Sequence, residues 1–226
     1  MPSRVLVAGG TGYLGRAAAP ALLARGHRLA MLVRQGSERR VLPGADAVTA
    51  DPLDPGAYQH EPDDTLLLLV GTPHPAPWKA AQFEAVDFAA GRAAATALQA
   101  RPARHVVYLS VAHPAPSMHA YWSVRARVEA LLAATGVPAT FLRPWYVLGP
   151  GHRWAALLQP FYWLAERIPA SRDTARRLGL VTLAQMVAAL VAAVEDPPAA
   201  GTRIVEVPQI RGRRAAAVEI ASPRSR

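Results

Sequence analysis

Short apolar runs alternate with longer Ala- and Leu-rich segments along the first two thirds of the chain. The runs predict strands over residues 4–8, 28–33, 45–50, 65–70, 105–111 and 139–143. The segments between them predict helices over 13–25, 80–100 and 121–135, and Gly26 and Gly136 end the first and last of these. Strand–helix alternation is typical of a parallel sheet covered on both faces. Because crossovers between parallel strands are right-handed, a doubly wound α/β sheet is the simplest topology.

The pattern changes after Pro144. Gly149-Pro150-Gly151 predicts a turn, and residues 154–168 carry apolar side chains at helical spacing, interrupted by Pro160. This stripe is compatible with core or cap packing, with the wall of an apolar pocket, or with contact to a partner or a membrane surface.

The remaining C-terminal pattern returns to regular structure. Thr182 and Gln185 have the spacing of a capping box, which predicts a helix to about residue 195, and residues 202–207 predict a last strand. We therefore expect one domain, with a core over 1–143, a small cap with the last helix and strand over 144–207, and a basic, flexible tail over 208–226.

Composition narrows the class of protein. The chain has 226 residues, of which 51% are hydrophobic and 18% charged, so a disordered polar chain is excluded. It has no Cys, which excludes a disulfide scaffold, a Cys-ligated metal site and a thiol nucleophile. No apolar run reaches the 18 residues of a membrane span, and Met1 leads straight into the first strand without room for a signal peptide. We expect a cytoplasmic protein.

The net charge of +9 does not by itself indicate a nucleic-acid partner. The segment after Ile210 holds five arginines against one acid, Glu219, so nearly half of the excess lies in the tail. No nucleic-acid-binding motif accompanies it. We expect a small-molecule substrate, no nucleic acid and no metal, and a monomer or homodimer.

The strongest chemical signal is a glycine-rich segment between the first strand and the first helix. Glycines 9, 12 and 15 give a G-x-x-G-x-x-G spacing, in a segment that comprises Gly9, Gly10, Thr11, Gly12, Tyr13, Leu14 and Gly15. Such a turn lets the backbone approach a pyrophosphate, and the helix N-terminus offers it free N–H groups. The segment therefore predicts dinucleotide binding.

The end of the second strand indicates which dinucleotide is bound. An acid there would bind the ribose 2′-hydroxyl, but this strand ends in Arg34 and the next acid is Glu38. An arginine pairs with a 2′-phosphate through charge-assisted hydrogen bonds. We predict NADP(H) in preference to NAD(H); alternatively, Arg34 is solvated or stacks on the adenine of either cofactor.

With these motifs the chain resembles the short-chain dehydrogenase/reductase superfamily, in its extended or atypical branch of NmrA-like proteins and NAD-dependent epimerase/dehydratases. The resemblance covers about residues 4–207 and implies a Rossmann-like fold. It implies adenine contacts at Asp51 and Leu53 and a dinucleotide contact at Gly71. The segments that carry it besides the glycines are Asp51-Pro52-Leu53, Val86-Asp87, Leu142-Arg143-Pro144 and Gly149-Pro150-Gly151.

The resemblance also implies a catalytic set. The family has a Ser after the fifth strand, matched by Ser110, and a Tyr-x-x-x-Lys, matched by Tyr121 and Arg125 with Lys replaced by Arg. The Tyr would be the acid/base and the cation would lower its pKa. Arginine is larger and planar, so the exchange is not conservative. Tyr121 could instead be structural, Ser110 could bond a loop, and Arg125 could pair with Glu129 at i+4.

The sequence thus favours an NADP(H)-dependent oxidoreductase that transfers hydride to or from a small apolar carbonyl or alcohol. The first alternative is a redox sensor or assembly protein of the NmrA-like type that binds NADP(H) without turnover, favoured by the Lys-to-Arg exchange. The second is epimerase- or dehydratase-like activity, which the small cap disfavours.

Overall fold

The computed structural model describes residues 2–115, 117–150 and 178–213, and it shows a central parallel sheet with helices on both faces. Seven strands form the sheet in the order β3-β2-β1-β4-β5-β6-β9. They are β1 (Arg4–Ala8), β2 (Arg28–Val33), β3 (Asp46–Thr49), β4 (Thr65–Leu68), β5 (His105–Leu109), β6 (Ala139–Arg143) and β9 (Thr202–Glu206). Every neighbouring pair is parallel, so the predicted doubly wound α/β fold is confirmed.

The helices up to residue 195 lie where the sequence predicts them, with differences at their ends and in one interior, and a further helix follows the last strand. They are α1 (Tyr13–Ala24), α2 (Ala80–Gln82), α3 (Ala89–Ala100), α4 (His119–Ala133), α5 (Leu183–Glu195) and α6 (Val207–Gly212). A π-helical turn, Phe83–Phe88, joins α2 to α3, so the predicted helix over 80–100 is continuous but locally widened.

Two layers of apolar side chains hold the helices to the sheet. Strand β1 is central and buried on both faces, so Val5 and Val7 point to one layer while Leu6 and Ala8 point to the other. The first layer lies under α1 and α5, and the second under α3 and α4. Because all seven strands are parallel, their carboxyl ends lie at one edge of the sheet. Ligands bind at this edge in open α/β sheets.

The C-terminal part both confirms and corrects the sequence analysis. The Thr182 capping box is present in full, with Gln185 N–H donating to Thr182 Oγ1 and Thr182 N–H donating to Gln185 Oε1. A second, two-stranded parallel sheet was not predicted; it pairs β7 (Tyr146–Leu148) with β8 (Leu180–Thr182). These three-residue strands are too short to show a period in the sequence.

The predicted flexible tail begins too early. Residues 207–212 form helix α6, which a capping box between Glu206 and Gln209 starts and which buries Val207 and Ile210. The apolar stripe over 154–168 and the rest of the tail, 214–226, lie outside the described residues. Over the part of the chain that is described, no helix is both long and apolar enough to cross a membrane.

A buried histidine at the amino end of the sheet makes the fold sensitive to acid. His105 is fully buried at the start of β5, and its Nε2 lies 2.9 Å from Thr140 Oγ1 on β6. Burial lowers the pKa of His105 from 6.5 to about 4, and Arg203 and Arg104 add to the effect. The folded protein therefore keeps His105 neutral where the unfolded chain protonates it.

We predict that this histidine contributes stability above about pH 6.5 that is lost as the pH falls toward 4. Between pH 7.5 and pH 5 the loss should be about 2 kcal/mol in the free energy of unfolding. His105→Gln keeps a partner for Thr140 and does not titrate. Urea unfolding at both pH values should show a smaller loss for the variant; equal losses in the two proteins would contradict the assignment.

Candidate functional site

The glycine-rich turn packs tightly against the end of β4. Gly9 has a φ of +85°, and a Cβ there would lie 2.6 Å from the carbonyl carbon of Leu69 and 2.7 Å from Val70 N. Only glycine fits this backbone conformation and this close approach. The turn that precedes α1 is therefore fixed to the carboxyl edge of the sheet.

The other two glycines of the spacing have different surroundings. A Cβ on Gly15 would lie 2.5 Å from Gly10 Cα, so Gly15 is required for packing of α1 on the turn. Gly12 has an ordinary φ of −76° and is exposed, and its nearest neighbour would be Gly9 O at 3.2 Å. A side chain at position 12 would therefore crowd the turn less than one at position 9 or 15, and it would extend toward a ligand lying across the turn.

The N-terminus of α1 is open to an anion. No side chain caps it, and its first turn contains no acidic residue. Thr11 and Leu14 are half-buried and Tyr13 is exposed at this end of the helix. Free N–H groups and the positive end of the helix dipole therefore face the space above the turn, which suits a pyrophosphate.

Tyr13 brings the glycine turn close to the segment after β7. A Cβ on Gly149 would collide with the Tyr13 hydroxyl, so the phenol passes directly over that glycine. Partial burial and the neighbouring Tyr146 raise the pKa of Tyr13. The predicted Gly149–Gly151 turn thus begins beside the glycine-rich turn.

In the loop after β2, Arg34 is exposed. The only acidic residue of this loop, Glu38, is held by hydrogen bonds. The Glu38 carboxylate accepts hydrogen bonds from Gly36 N–H at 3.1 Å and from Thr49 Oγ1 at 3.3 Å. Backbone N–H groups of Glu38 itself and of Gly36 lower its pKa, so it is ionised and bound within the loop. None of the ion pairs in the described ranges includes Arg34.

Asp51 and Leu53 lie after β3, on the same edge of the sheet. Asp51 Oδ1 accepts a hydrogen bond from Leu53 N–H at 3.0 Å, which fixes a tight turn. Both residues are exposed. The order β3-β2-β1-β4 therefore sets Asp51, Arg34, the glycine turn and Gly71 along one line at the carboxyl ends of the strands.

Ser110 follows β5 but faces the interior. It is 3% exposed, and its Oγ has no hydrogen-bond partner. It contributes, after His113 and Arg143, to lowering the pKa of Glu129, whose burial alone would raise it. Ser110 therefore lies beside a buried carboxylate, and no hydrogen bond joins it to Tyr121 within the described segments.

The buried carboxylate of Glu129 forms an ion pair with Arg143. Arg143 donates to it through Nε at 3.0 Å and through Nη2, and His113 Nε2 lies 3.3 Å from Glu129 Oε1. The alternative of an Arg125–Glu129 pair is therefore wrong, although the two side chains are one helical turn apart. Glu129 joins α4 to the end of β6 instead.

Arg125 pairs with Asp87 in the π-helical turn. Arg125 Nη2 donates to Asp87 Oδ1 at 2.5 Å, and the exposed fractions of the two side chains are 4% and 0%. Asp87 Oδ2 also accepts from Thr72 N at 3.0 Å and from Thr72 Oγ1 at 2.6 Å. The sequence analysis noted Asp87 only within a family-like segment; a pairing across 38 residues leaves no local signal.

Tyr121 is half-buried next to this pair. Its ring centroid lies 5.2 Å from Arg125 Cζ and 5.0 Å from the ring centroid of Phe83. The ring therefore contacts both a cation and an aromatic side chain. Tyr121 and Arg125 share one face of α4, as their spacing predicts.

A family model described as NAD(P)H-binding matches residues 9–155, which is more than half of the chain. The chain belongs to this NAD(P)H-binding family. The match begins at Gly9, where the positive φ and close backbone approach are found, and its end at residue 155 leaves most of the predicted cap outside.

Several solved structures share the fold of this chain at low sequence identity. A short-chain dehydrogenase/reductase superfamily protein from Agrobacterium tumefaciens with bound NAD has a TM-score of 0.64 and 18% identity, over 90% of this chain and 77% of that one. UDP-galactose 4-epimerase has a TM-score of 0.68 and 18% identity, over 92% of this chain and 81% of that one. The Bordetella bronchiseptica enzyme WbmH in complex with NAD⁺ has a TM-score of 0.64 and 17% identity, over 90% of this chain and 75% of that one. No curated protein gives a significant sequence match.

The NAD(P)H-binding family and the Rossmann-like fold that the resemblance implies are therefore confirmed. The described segments contain no group of three or more His, Cys, Asp or Glu side chains arranged to bind a metal. The residues at the carboxyl edge fit a dinucleotide, with a glycine cradle and an uncapped helix end as its phosphate site.

The two glycines of α1's first turn give a matched pair of variants. Gly12→Val should lose less stability than Gly15→Ala, since its Cβ would lie 3.2 Å from Gly9 O, and it should reduce NADPH affinity roughly tenfold or more, about 1.4 kcal/mol, because its side chain extends into the ligand's space. Gly15→Ala should instead lower the free energy of unfolding by about 1–3 kcal/mol, because its Cβ meets backbone. Fluorescence titration and urea unfolding check both; normal NADPH binding by Gly12→Val would contradict the phosphate site.

Proposed function

We propose that this chain is an NADP(H)-dependent oxidoreductase that acts on a small apolar carbonyl or alcohol. The observation that carries the proposal is the glycine turn below the open N-terminus of α1, in a chain of the NAD(P)H-binding family. Gly9, Gly10, Thr11, Gly12, Tyr13, Leu14 and Gly15 would hold the pyrophosphate. Asp51 and Leu53 would flank the adenine, since they end the neighbouring strand on the same edge.

The preference for NADP(H) rests on charge at the end of β2. Arg34 is exposed there, and the nearest acid, Glu38, is bound to its own loop. A 2′-phosphate would pair with the Arg34 guanidinium through charge-assisted hydrogen bonds. NAD(H) would gain nothing comparable, because no carboxylate at the strand end receives its 2′-hydroxyl.

Tyr121 is the proposed acid/base. The bound nicotinamide would supply or accept the hydride, and the Tyr121 hydroxyl would donate or accept the proton at the substrate oxygen. Its ring contacts Phe83 and Arg125, and these contacts restrict the position of the hydroxyl. Ser110 is proposed as a second hydroxyl at this site because it follows β5 at the carboxyl edge and its Oγ makes no well-aligned hydrogen bond in the described residues, although the side chain is buried beside Glu129.

A charge reversal at Arg34 tests the cofactor preference. The wild type should bind NADPH more tightly than NADH, and Arg34→Asp should weaken NADPH binding about ten- to a hundredfold through loss of a charge-assisted pair. Arg28→Asp is the control, since it makes the same charge change at the exposed opposite end of β2. Equal NADPH and NADH affinities in the wild type would refute the preference.

Removal of one hydroxyl tests the acid. Tyr121→Phe keeps the packing on Phe83, so NADPH affinity and thermal stability should stay close to those of the wild type. The rate of NADPH oxidation with an active carbonyl substrate should fall about 10²–10⁴-fold. An unchanged turnover number would show that another group transfers the proton.

Binding of NADP(H) without turnover is the second candidate function. Two observations favour it: Asp87 takes up the cation of the Tyr-x-x-x-Arg motif, and no hydrogen bond joins Ser110 to Tyr121 within the described segments. A redox-sensing or assembly role then predicts tight NADPH binding, no oxidation of NADPH over a broad carbonyl panel, and no effect of Tyr121→Phe on binding.

A further inference from the structure

Both terminal nitrogens of the Arg125 guanidinium donate hydrogen bonds to the protein itself. Besides Asp87, it donates through Nη1 to Leu109 O at 2.8 Å, to Tyr108 OH at 3.3 Å and to Val70 O at 3.5 Å. These acceptors belong to the ends of β4 and β5. One side chain of α4 therefore ties together two strand ends and the π-helical turn.

The guanidinium is also closed to a ligand. A Cβ on Gly71 would collide with Arg125 Nη2, so the side chain passes directly over the backbone after β4. Arg125 Nε has no partner in the described residues, but it is buried with the rest of the group, which is 3% exposed. The space beside Gly71 is thus occupied by the Arg125 side chain. The family resemblance implied a dinucleotide contact at this glycine.

The charge balance favours this arrangement over a cation waiting for a ligand. Burial alone would lower the pKa of Arg125, but the neighbouring Tyr108, Tyr121 and Asp87 raise it. A buried ion pair is stable only when further hydrogen bonds satisfy both partners, and here Thr72 completes the shell of Asp87. Moving Arg125 to a ribose would leave Asp87 buried and unpaired.

We infer that Arg125 is a positioning residue, which with Asp87 fixes the ring of Tyr121 and the ends of β4 and β5, and that it does not contact the nicotinamide ribose. The inference rests on the proposed binding of a dinucleotide at this edge. Arg125 acts on the reaction only through Tyr121, whose ring face it covers at 5.2 Å.

A double-mutant cycle tests the pair. Arg125→Met and Asp87→Asn should each lower the melting temperature by about 6–20 °C, because each leaves one buried charge uncompensated. The double variant Asp87→Asn/Arg125→Met should lose clearly less than the sum of the two, since both charges are gone. A loss in the double variant equal to the sum of the two single losses would overturn the pairing.

The matched control is a second ion pair between the same elements. Arg127 of α4 donates to Glu84 of the π-helical turn, but both side chains are about half exposed. Arg127→Met and Glu84→Gln should each shift the melting temperature by only about 0–4 °C, because exposed pairs contribute little. A shift as large as that of Arg125→Met would mean that burial does not distinguish the two pairs.

Cofactor affinity of the double variant separates positioning from ligand contact. If Arg125 only positions Tyr121, NADPH affinity should stay within about threefold of the wild type, while kcat falls and KM for the carbonyl changes little. A tenfold loss of NADPH affinity in a folded double variant would place Arg125 on the cofactor and overturn the inference. If the wild type binds neither NADPH nor NADH, the proposed function is wrong. The double-mutant cycle of melting temperatures would still test the Asp87–Arg125 pair.

Arg125→Lys provides the conservative comparison. A lysine has no planar fork, so it cannot serve Asp87 and the strand ends together. We expect a lower melting temperature and no gain in turnover. A higher turnover with unchanged melting temperature would show that this position works as a ribose-binding cation and would refute the positioning role.

Discussion

The Asp87–Arg125 ion pair is the constraint on which the carboxyl edge of this sheet depends. Two charges taken out of water are unstable unless hydrogen bonds stabilise them, and here Thr72 donates to Asp87 while Leu109 and Tyr108 accept from Arg125 Nη1. The pair explains why position 71 is a glycine, and it fixes the π-helical turn, α4 and two strand ends in one arrangement. The ring of Tyr121 takes its place from that arrangement.

The phosphate side of the site depends on backbone geometry instead of charge. Gly9 and Gly15 are required for the turn and for the packing of α1, while Gly12 leaves space above the turn. The two halves of the edge therefore differ: an open helix N-terminus suited to an anion faces one half, and a neutralised, closed ion pair forms the other. This division supports dinucleotide binding more strongly than it supports any particular reaction.

The sequence predicts the parallel sheet, the glycine turn and the Thr182 capping box because each depends on neighbouring residues or on a regular period. The partner of Arg125 could not be predicted that way, since Asp87 lies 38 residues away and Glu129 offers the local alternative. Strands β7 and β8 are too short to show a pattern, and helix α6 was hidden in a basic segment whose Val207 and Ile210 are buried. A fully apolar or Ala-rich helix likewise gives no sign of a π-helical turn.

The most direct test of this account is the state of the Arg125 side chain when the cofactor binds. In ¹⁵N-resolved NMR spectra of the full chain, the Arg125 guanidinium signals can be assigned by their loss in Arg125→Lys and followed during NADPH titration. We predict that the backbone amide signals of Gly12 and Tyr13 shift while the Arg125 Nη signals keep their positions and their slow exchange with water. Movement of the Nη signals in step with the glycine amides would show that Arg125 leaves Asp87 for the cofactor, and would contradict the account.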